Sequence, residues 1–237
     1  MSNKIIAFSL WGQPSRYVMG AIRNAQLARQ IYPDWKCRFY CGPDVSEDTI
    51  KQLLDLGADC EFMEEVGWNG MFWRFYAADG EDTMLSRDAD SRLSYREKAA
   101  VDEWLDSDKD FHIIRDHPYH QTEILAGMWG CRNGLLKGIK DMIHLHDKGN
   151  LNNEWQVSKI PRWRLEQDQV FLTQVIYPLV KDKALEHDHY KFNNFPRIPR
   201  HPQFFVGQAY DGNDKVLDDY AYFFDYIREE EKYDSSC

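Results

Sequence analysis

Several things are missing from this sequence, and each absence narrows what the chain does. There is no basic stripe: across 237 residues the formal net charge is −10. A nucleic-acid binder would carry clustered Lys and Arg on one face. Two stretches are basic and aromatic: Ile160-Pro161-Arg162-Trp163-Arg164, too short to track a phosphate backbone, and Phe195-Pro196-Arg197-Ile198-Pro199-Arg200, a patch that could touch a membrane or an anionic acceptor. No nucleic-acid partner is expected. No apolar run approaches the roughly 18–20 residues of a membrane span, so no transmembrane segment is expected. Met1-Ser2-Asn3-Lys4 runs directly into the strand-like Ile5-Ile6-Ala7-Phe8 instead of a leader, which predicts a cytoplasmic location. Zinc-ligand spacing is also lacking. The five cysteines stand at 37, 41, 60, 131 and 237, and Cys37-x3-Cys41 has no second pair, so reduced thiols are expected. With no internal repeat and no low-complexity linker, residues 1–237 read as a single domain with a frayed tail at 232–237.

Apolar residues, at 43%, supply a sizeable core, and aromatic residues, at 14% with eight tryptophans, exceed what a minimal core needs. Flat apolar rings also line sites for sugars and bases. Strand-like and helix-like periods alternate along the chain. Lys4–Ser9, Trp35–Cys41, Asp59–Met63, Asp82–Ser86 and Phe111–Arg115 read as strands. Tyr17–Ile31, a Ser46-capped segment to Leu56, Met71–Ala78, Glu97–Leu105, Leu135–His146 and Glu166–Leu179 read as helices. This pattern predicts an α/β fold with a mixed, mainly parallel sheet flanked by helices. The Gly-rich stretch 127–134 reads as a close backbone approach to a ligand or a plain turn, His187–Gly207 as irregular loops, and Asp218–Glu231 as a terminal helix.

The segment most loaded with chemistry is Thr83-Met84-Leu85-Ser86-Arg87-Asp88-Ala89-Asp90-Ser91-Arg92, in which a strand delivers two carboxylates, one residue apart, into a turn. In open α/β sheets ligands collect beyond the carboxyl ends of strands. Mg²⁺ and Mn²⁺ prefer oxygen ligands and bridge carboxylates to phosphates. An EF-hand loop would need Gly at 93 and Glu at 99, where Leu93 and Ala99 stand. A dehalogenase-type phosphatase fits poorly, because Ser86-Arg87 precedes the first Asp and Ser91 follows the second.

Phe72-Trp73-Arg74-Phe75 ahead of the Asp-x-Asp strand, and Glu166-Gln167-Asp168-Gln169 beyond it, resemble the glycosyltransferase family of glycogenin and the bacterial lipooligosaccharide galactosyltransferases. Phe8-Ser9-Leu10-Trp11-Gly12, Arg115-Asp116-His117-Pro118-Tyr119-His120 and Phe205-Val206-Gly207-Gln208 are similar to segments of uncharacterised bacterial and viral proteins of the same GT-A type. The resemblance implies a GT-A (Rossmann-like nucleotide-diphospho-sugar transferase) fold. It also implies transfer of a hexosyl or pentosyl unit from a UDP- or GDP-linked sugar to a glycan acceptor, with Mn²⁺ or Mg²⁺ as cofactor. Asp88, Asp90 and His187 would hold the metal, with His189 the nearest competitor of His187. Ser9, Leu10, Trp11 and Gly12 would wrap base and ribose, which Asp88 also reaches. Arg74 and Arg87 would meet the diphosphate or the donor sugar, and Asp168 and Gln169 the reaction centre. His187 starts no His-x-x-Gly-x-x-Lys motif, so Lys191 or Arg197 is the expected substitute for its phosphate grip. His117 and His120 would meet sugar hydroxyls. A metal phosphohydrolase, a nucleotidyltransferase and a silent nucleotide-sugar-binding module are the competing expectations.

Overall fold

The computed structural model describes residues 3–12, 14–64, 69–147, 167–196 and 205–217. Seven strands form one sheet: β1 (Lys4–Leu10), β2 (Lys36–Cys41), β3 (Asp59–Phe62), β4 (Thr83–Arg87), β5 (Phe111–Arg115), β6 (Met128–Cys131) and β7 (Ala184–Asp188). Their order is β3-β2-β1-β4-β6-β5-β7, and only β6 runs antiparallel to its neighbours. The expected α/β class with a mixed, mainly parallel sheet is what the chain adopts.

Side-chain alternation sorts the strands onto two faces. On β1, Ile5 and Ala7 join one core cluster, whereas Ile6, Phe8 and Leu10 join the other. The second face is covered by α1 (Ser15–Ile31), α2 (Glu47–Asp55) and α4 (Tyr95–Asp106), through Ala21, Ala25, Leu53, Val101 and Trp104. The first face is covered by three elements. One is α3 (Gly70–Trp73), which tightens into a 3-10 segment at Arg74–Asp79. The others are α5 (Ile139–Asp147) and the α6 (Gln167–Phe171) to α7 (Tyr177–Val180) helix, joined by a π turn at Leu172–Ile176. Ser46 caps α2 by accepting the Thr49 N–H at 3.2 Å, and Ser94 caps α4 by accepting the Glu97 N–H at 3.2 Å.

Two strands depart from the sequence reading. The Gly-rich stretch holds β6, and Gly130 is needed there. A Cβ would lie 2.7 Å from Leu85 Cδ2 and 2.8 Å from the Met84 carbonyl, so the glycine marks close packing of two strands. The supposedly irregular His187 stretch begins inside β7, an edge strand too short and polar to show a clear period. The expected terminal helix 218–231, the tail 232–237, the basic segment 160–164, Arg197 and Cys237 lie outside the described residues. Cys37, Cys41, Cys60 and Cys131 are free thiols, and no helix among the described residues is long and apolar enough to cross a membrane.

Alternation also corrects the role expected for Arg87. It shares the α4 side of β4 with Leu85, opposite Asp88. Its Nε donates to Glu97 Oε1 at 2.7 Å and its Nη1 to the Trp129 carbonyl at 3.0 Å, and both charged side chains are 2% exposed. Tyr32 donates to the same Glu97 oxygen at 3.0 Å. Arg87 is therefore an interior ion pair joining β4 to α4. Breaking a buried pair from one side costs about 3–5 kcal/mol, so Arg87→Met is expected to lower the melting temperature by roughly 2–4 °C per kcal/mol lost. A variant that melts like the wild type in a thermal unfolding scan would contradict this placement.

Candidate active site at the switch point of the sheet

From β1 the chain builds outward through β2 and β3, then returns to place β4 on the other side of β1. Ligands bind at such reversals of strand order, beyond the strand ends. A cavity of about 480 Å³ lies here, lined by Ser9, Trp11 and Gly12 after β1, by Asp88, Ala89 and Asp90 after β4, and by Tyr17, Arg74 and Asp168. A second cavity of about 390 Å³ adjoins it and shares Arg74, Asp88 and Asp168.

Arg74 is the junction. The N–H of Arg74 donates to Ser9 Oγ at 2.9 Å, tying the 3-10 segment to the end of β1. Its Nη1 lies 2.8 Å from Asp88 Oδ1 and its Nη2 lies 2.9 Å from Asp168 Oδ2. The arginine is 6% exposed and the Asp168 side chain 9%, so that pair is shielded from water, whereas the Asp88 side chain is 40% exposed. Asp168 stands at the start of α6, where its Oδ1 also accepts the Gln169 N–H at 3.0 Å. Burial pushes the Asp168 carboxyl up, and Arg74 opposes that shift.

The Asp88–Asp90 turn is built from four directions. Asn24, 1% exposed on α1, donates from Nδ2 to the carbonyls of Ser91 at 2.8 Å and Ala89 at 3.3 Å, and its Oδ1 accepts the Leu93 N–H at 3.0 Å. Gly20 lets α1 touch the turn, because a Cβ there would sit 1.9 Å from the Ala89 carbonyl oxygen. Ser91 Oγ donates back to the Asp88 carbonyl at 2.9 Å, and the Tyr210 N–H donates to the Asp90 carbonyl at 2.9 Å. Gly127 makes room for the Asp88 carboxylate, since a Cβ would lie 2.0 Å from Oδ2. The strap carrying Tyr210, residues 205–217, also reaches α1. Asp214 accepts from Arg23 at 2.8 Å and from Arg92 at 2.7 Å.

Asp90 is short of positive charge. Burial, and then the neighbouring Asp88 carboxylate, raise its pKa to about 6, while Arg16 at 3.7 Å offsets part of the rise. Two half-compensated carboxylates on one turn, facing one cavity, fit a hard divalent cation. Among the described residues no cluster of three or more His, Cys, Asp or Glu able to hold a metal occurs.

Not every expected residue is gathered here. Ser9, Trp11, Gly12, Arg74, Asp88, Asp90 and Asp168 meet at the first cavity, and Gln169 lines the second. The Leu10 side chain points instead into the α1–α4 core and is 1% exposed. Arg87 is the interior pair already described. His187 lies on β7, three strands from β4, or roughly 14 Å at the usual strand spacing. Its Nδ1 is 2.8 Å from His112 Nε2 and its Nε2 is 3.0 Å from Glu103 Oε2, on the α4 side. It does not join Asp88 and Asp90. His189, beside Arg96 at 3.5 Å, stands at the same far edge, and Lys191 lines a third cavity there. The sequence reading missed Asn24, Gly20, Tyr17 and the strap around Tyr210. The Gly20 and Asn24 positions carry a signal, being small or polar on the buried face of α1.

No family model matches the sequence, and no curated protein matches it. Among solved structures, the chain is similar to a glycosyltransferase involved in glycosylating the major capsid protein of PBCV-1, at 12% identity over 81% of this chain and 84% of that one, with a TM-score of 0.46. It is also similar to a putative glucose-1-phosphate thymidylyltransferase from Bacillus anthracis, at 10% identity, 79% and 87% coverage and a TM-score of 0.47. A third is glucosyl-3-phosphoglycerate synthase from Mycobacterium tuberculosis, crystallised with Mn²⁺, UDP-glucose and glycerol 3-phosphate, at 11% identity, 79% and 70% coverage and a TM-score of 0.44. At such identities the activity of this chain has to be read from its own residues.

The raised pKa of Asp90 fixes a sign. The folded protein holds this proton more tightly than the unfolded chain, whose Asp titrates near 3.9. Its contribution to stability is complete below pH ~4 and is lost as pH rises through about 6. Without metal, Asp90→Asn should therefore gain on the wild type between pH ~4 and ~6, by on the order of 2–3 kcal/mol above that window. Urea unfolding at a series of pH values measures this, and a difference that stays constant from pH ~4 to ~7 would count against it.

Proposed function

We propose that the protein is a metal-dependent glycosyltransferase of the GT-A type, taking its donor as a UDP- or GDP-linked sugar and passing the sugar to a hydroxyl of a glycan. The observation that carries this reading is the convergence of Asp88, Asp90, Arg74 and Asp168 on one cavity at the switch point, with a second cavity opening from the same residues. Two abutting spaces with a shared charged partition suit a two-substrate reaction.

In this reading Trp11, Gly12 and Tyr17 enclose the nucleoside end of the donor. Tyr17 and Trp11 supply ring surface, and Gly12, at φ 68°, supplies close backbone approach. Asp88 and Asp90 would hold Mn²⁺ or Mg²⁺ against the diphosphate. That ion would supply charge neutralisation for the departing nucleoside diphosphate. Arg74 adds a fixed cation between the two cavities and orients Asp88 and Asp168. Asp168 stands at the partition, with Gln169 beside it on the second cavity, where a carboxylate takes the proton of the attacking hydroxyl or faces the charge that develops at the anomeric carbon. Burial of Asp168 raises its proton affinity, as a base needs.

Thermal unfolding with UDP, GDP and their sugar derivatives, each with and without Mn²⁺, tests the reading. A ligand present at about 100 times its Kd stabilises the folded state by ~2.7 kcal/mol, a rise of roughly 5–10 °C for a domain of this size. The expected result is a metal-dependent rise with one nucleotide, absent in Asp90→Ala, and sugar transfer lost in Asp168→Asn while the rise persists. No rise with any nucleotide, under conditions where Mn²⁺ itself binds, would overturn the proposal. Rapid acceptor-free cleavage of the nucleotide sugar would mark a phosphohydrolase instead.

A further inference from the structure

The second cavity adjoins a third, of about 270 Å³, along His117 and His120, which line both. The three spaces therefore follow one another across the molecule, from the nucleoside end past the reaction centre to the β5–β7 edge. The third is lined by Arg115, Lys191, Glu123, Asp188, Thr122, Tyr177 and Tyr190 among others. It is smaller than the ~300–1,000 Å³ of a pocket that takes a whole drug-sized ligand, and suits a single ring.

Its charged lining balances, Arg115 and Lys191 against Glu123 and Asp188, and the shared wall is neutral. His120 Nδ1 accepts the Asp116 N–H at 3.1 Å, and His117 Nδ1 accepts the Tyr119 N–H at 3.2 Å. A ring whose Nδ1 accepts is uncharged and carries its proton on Nε2, where it acts as a donor. Burial, with His117 next, brings the His120 pKa down to about 3, so that ring stays neutral at physiological pH. Phe205 lies against both imidazoles, at centroid distances of 4.4 and 5.7 Å, and Tyr119 stands exposed 5.6 Å from His117. Such faces stack on the C–H side of a pyranose. The guanidinium groups along the route are already engaged. Arg74 pairs with Asp88 and Asp168, and Arg115 pairs with Glu186 and with Asp188, the latter at 2.6 Å. Thr122 Oγ1 is buried in the lining without a hydrogen-bond partner, a group that a ligand hydroxyl would satisfy.

We infer that the acceptor is a neutral oligosaccharide of at least two sugar units, and that the unit behind the reacting one sits in the cavity of Thr122, Tyr177 and Tyr190. This rests on the transferase reading. The acceptor's terminal sugar lies in the middle cavity beside Asp168, and the chain crosses the two imidazoles into the third space. A phosphorylated acceptor would meet Glu123 and Asp188 there as well as Lys191, with Arg115 already paired, so the cavity offers it no net positive charge.

The test uses the full chain, saturated with Mn²⁺ and whichever of UDP or GDP raises its melting temperature. Binding is measured by ligand-observed NMR to methyl glucoside, methyl galactoside, glucose 6-phosphate and a panel of neutral di- and trisaccharides. At least one neutral oligosaccharide should bind tenfold or more tightly than either methyl glycoside and than glucose 6-phosphate. Thr122→Val and Tyr177→Ala should each erase most of that advantage while the nucleotide-induced rise remains, which shows the variants folded. If neither nucleotide binds, the transferase reading fails and this inference fails with it. If a nucleotide binds but monosaccharides match the best oligosaccharide, or glucose 6-phosphate outbinds it, or both variants keep the preference, only the acceptor inference is overturned.

Discussion

Two carboxylates from distant parts of the chain share one buried guanidinium. Arg74 is held by its own backbone N–H on Ser9 at the end of β1, and it reaches Asp88 after β4 with one arm and Asp168 at the start of α6 with the other. Removing either partner of the buried Arg74–Asp168 pair leaves a charge stranded out of water at a cost of about 3–5 kcal/mol. The interaction thus fixes three elements relative to one another at the point where the sheet reverses its order. Both cavities of the candidate site are bounded by these three side chains, so their shape follows from this one junction.

The Asp88–Asp90 turn is the complementary constraint. Its backbone is clamped by Asn24, Ser91, Tyr210 and the contact of Gly20, while its side chains are pushed together with too little positive charge. A turn held by its backbone keeps two like charges close whether or not a cation is present. Here the scaffold carries the cost of holding the two carboxylates close.

Much of this was legible in the sequence because periodicity reports burial. The strands through Phe111–Arg115 and their covering helices show it clearly, and the Asp-x-Asp turn follows a strand as the topology requires. The same periodicity, applied one step further, would have corrected two assignments. Leu10 alternates with Ser9, and Arg87 with Asp88, so only one member of each pair faces the cavity. What the sequence hides is long-range. Strand β6 is masked by Gly130, present because two strands meet closely, and β7 is an edge strand whose His187 is taken up by His112 and Glu103. The strap that brings Tyr210 to Asp90 lies more than a hundred residues from the turn it holds, beyond the reach of any local pattern.

A double-mutant cycle on Arg74 and Asp168 tests the junction most directly. Urea unfolding of Arg74→Met, Asp168→Asn and the combined variant gives their coupling energy. Because each single change strands or unpairs the other group, the double variant should be less destabilised than the sum of the singles by about 1.5 kcal/mol or more. Additivity within about 0.5 kcal/mol would mean that the two residues do not act as a pair, and would contradict the account.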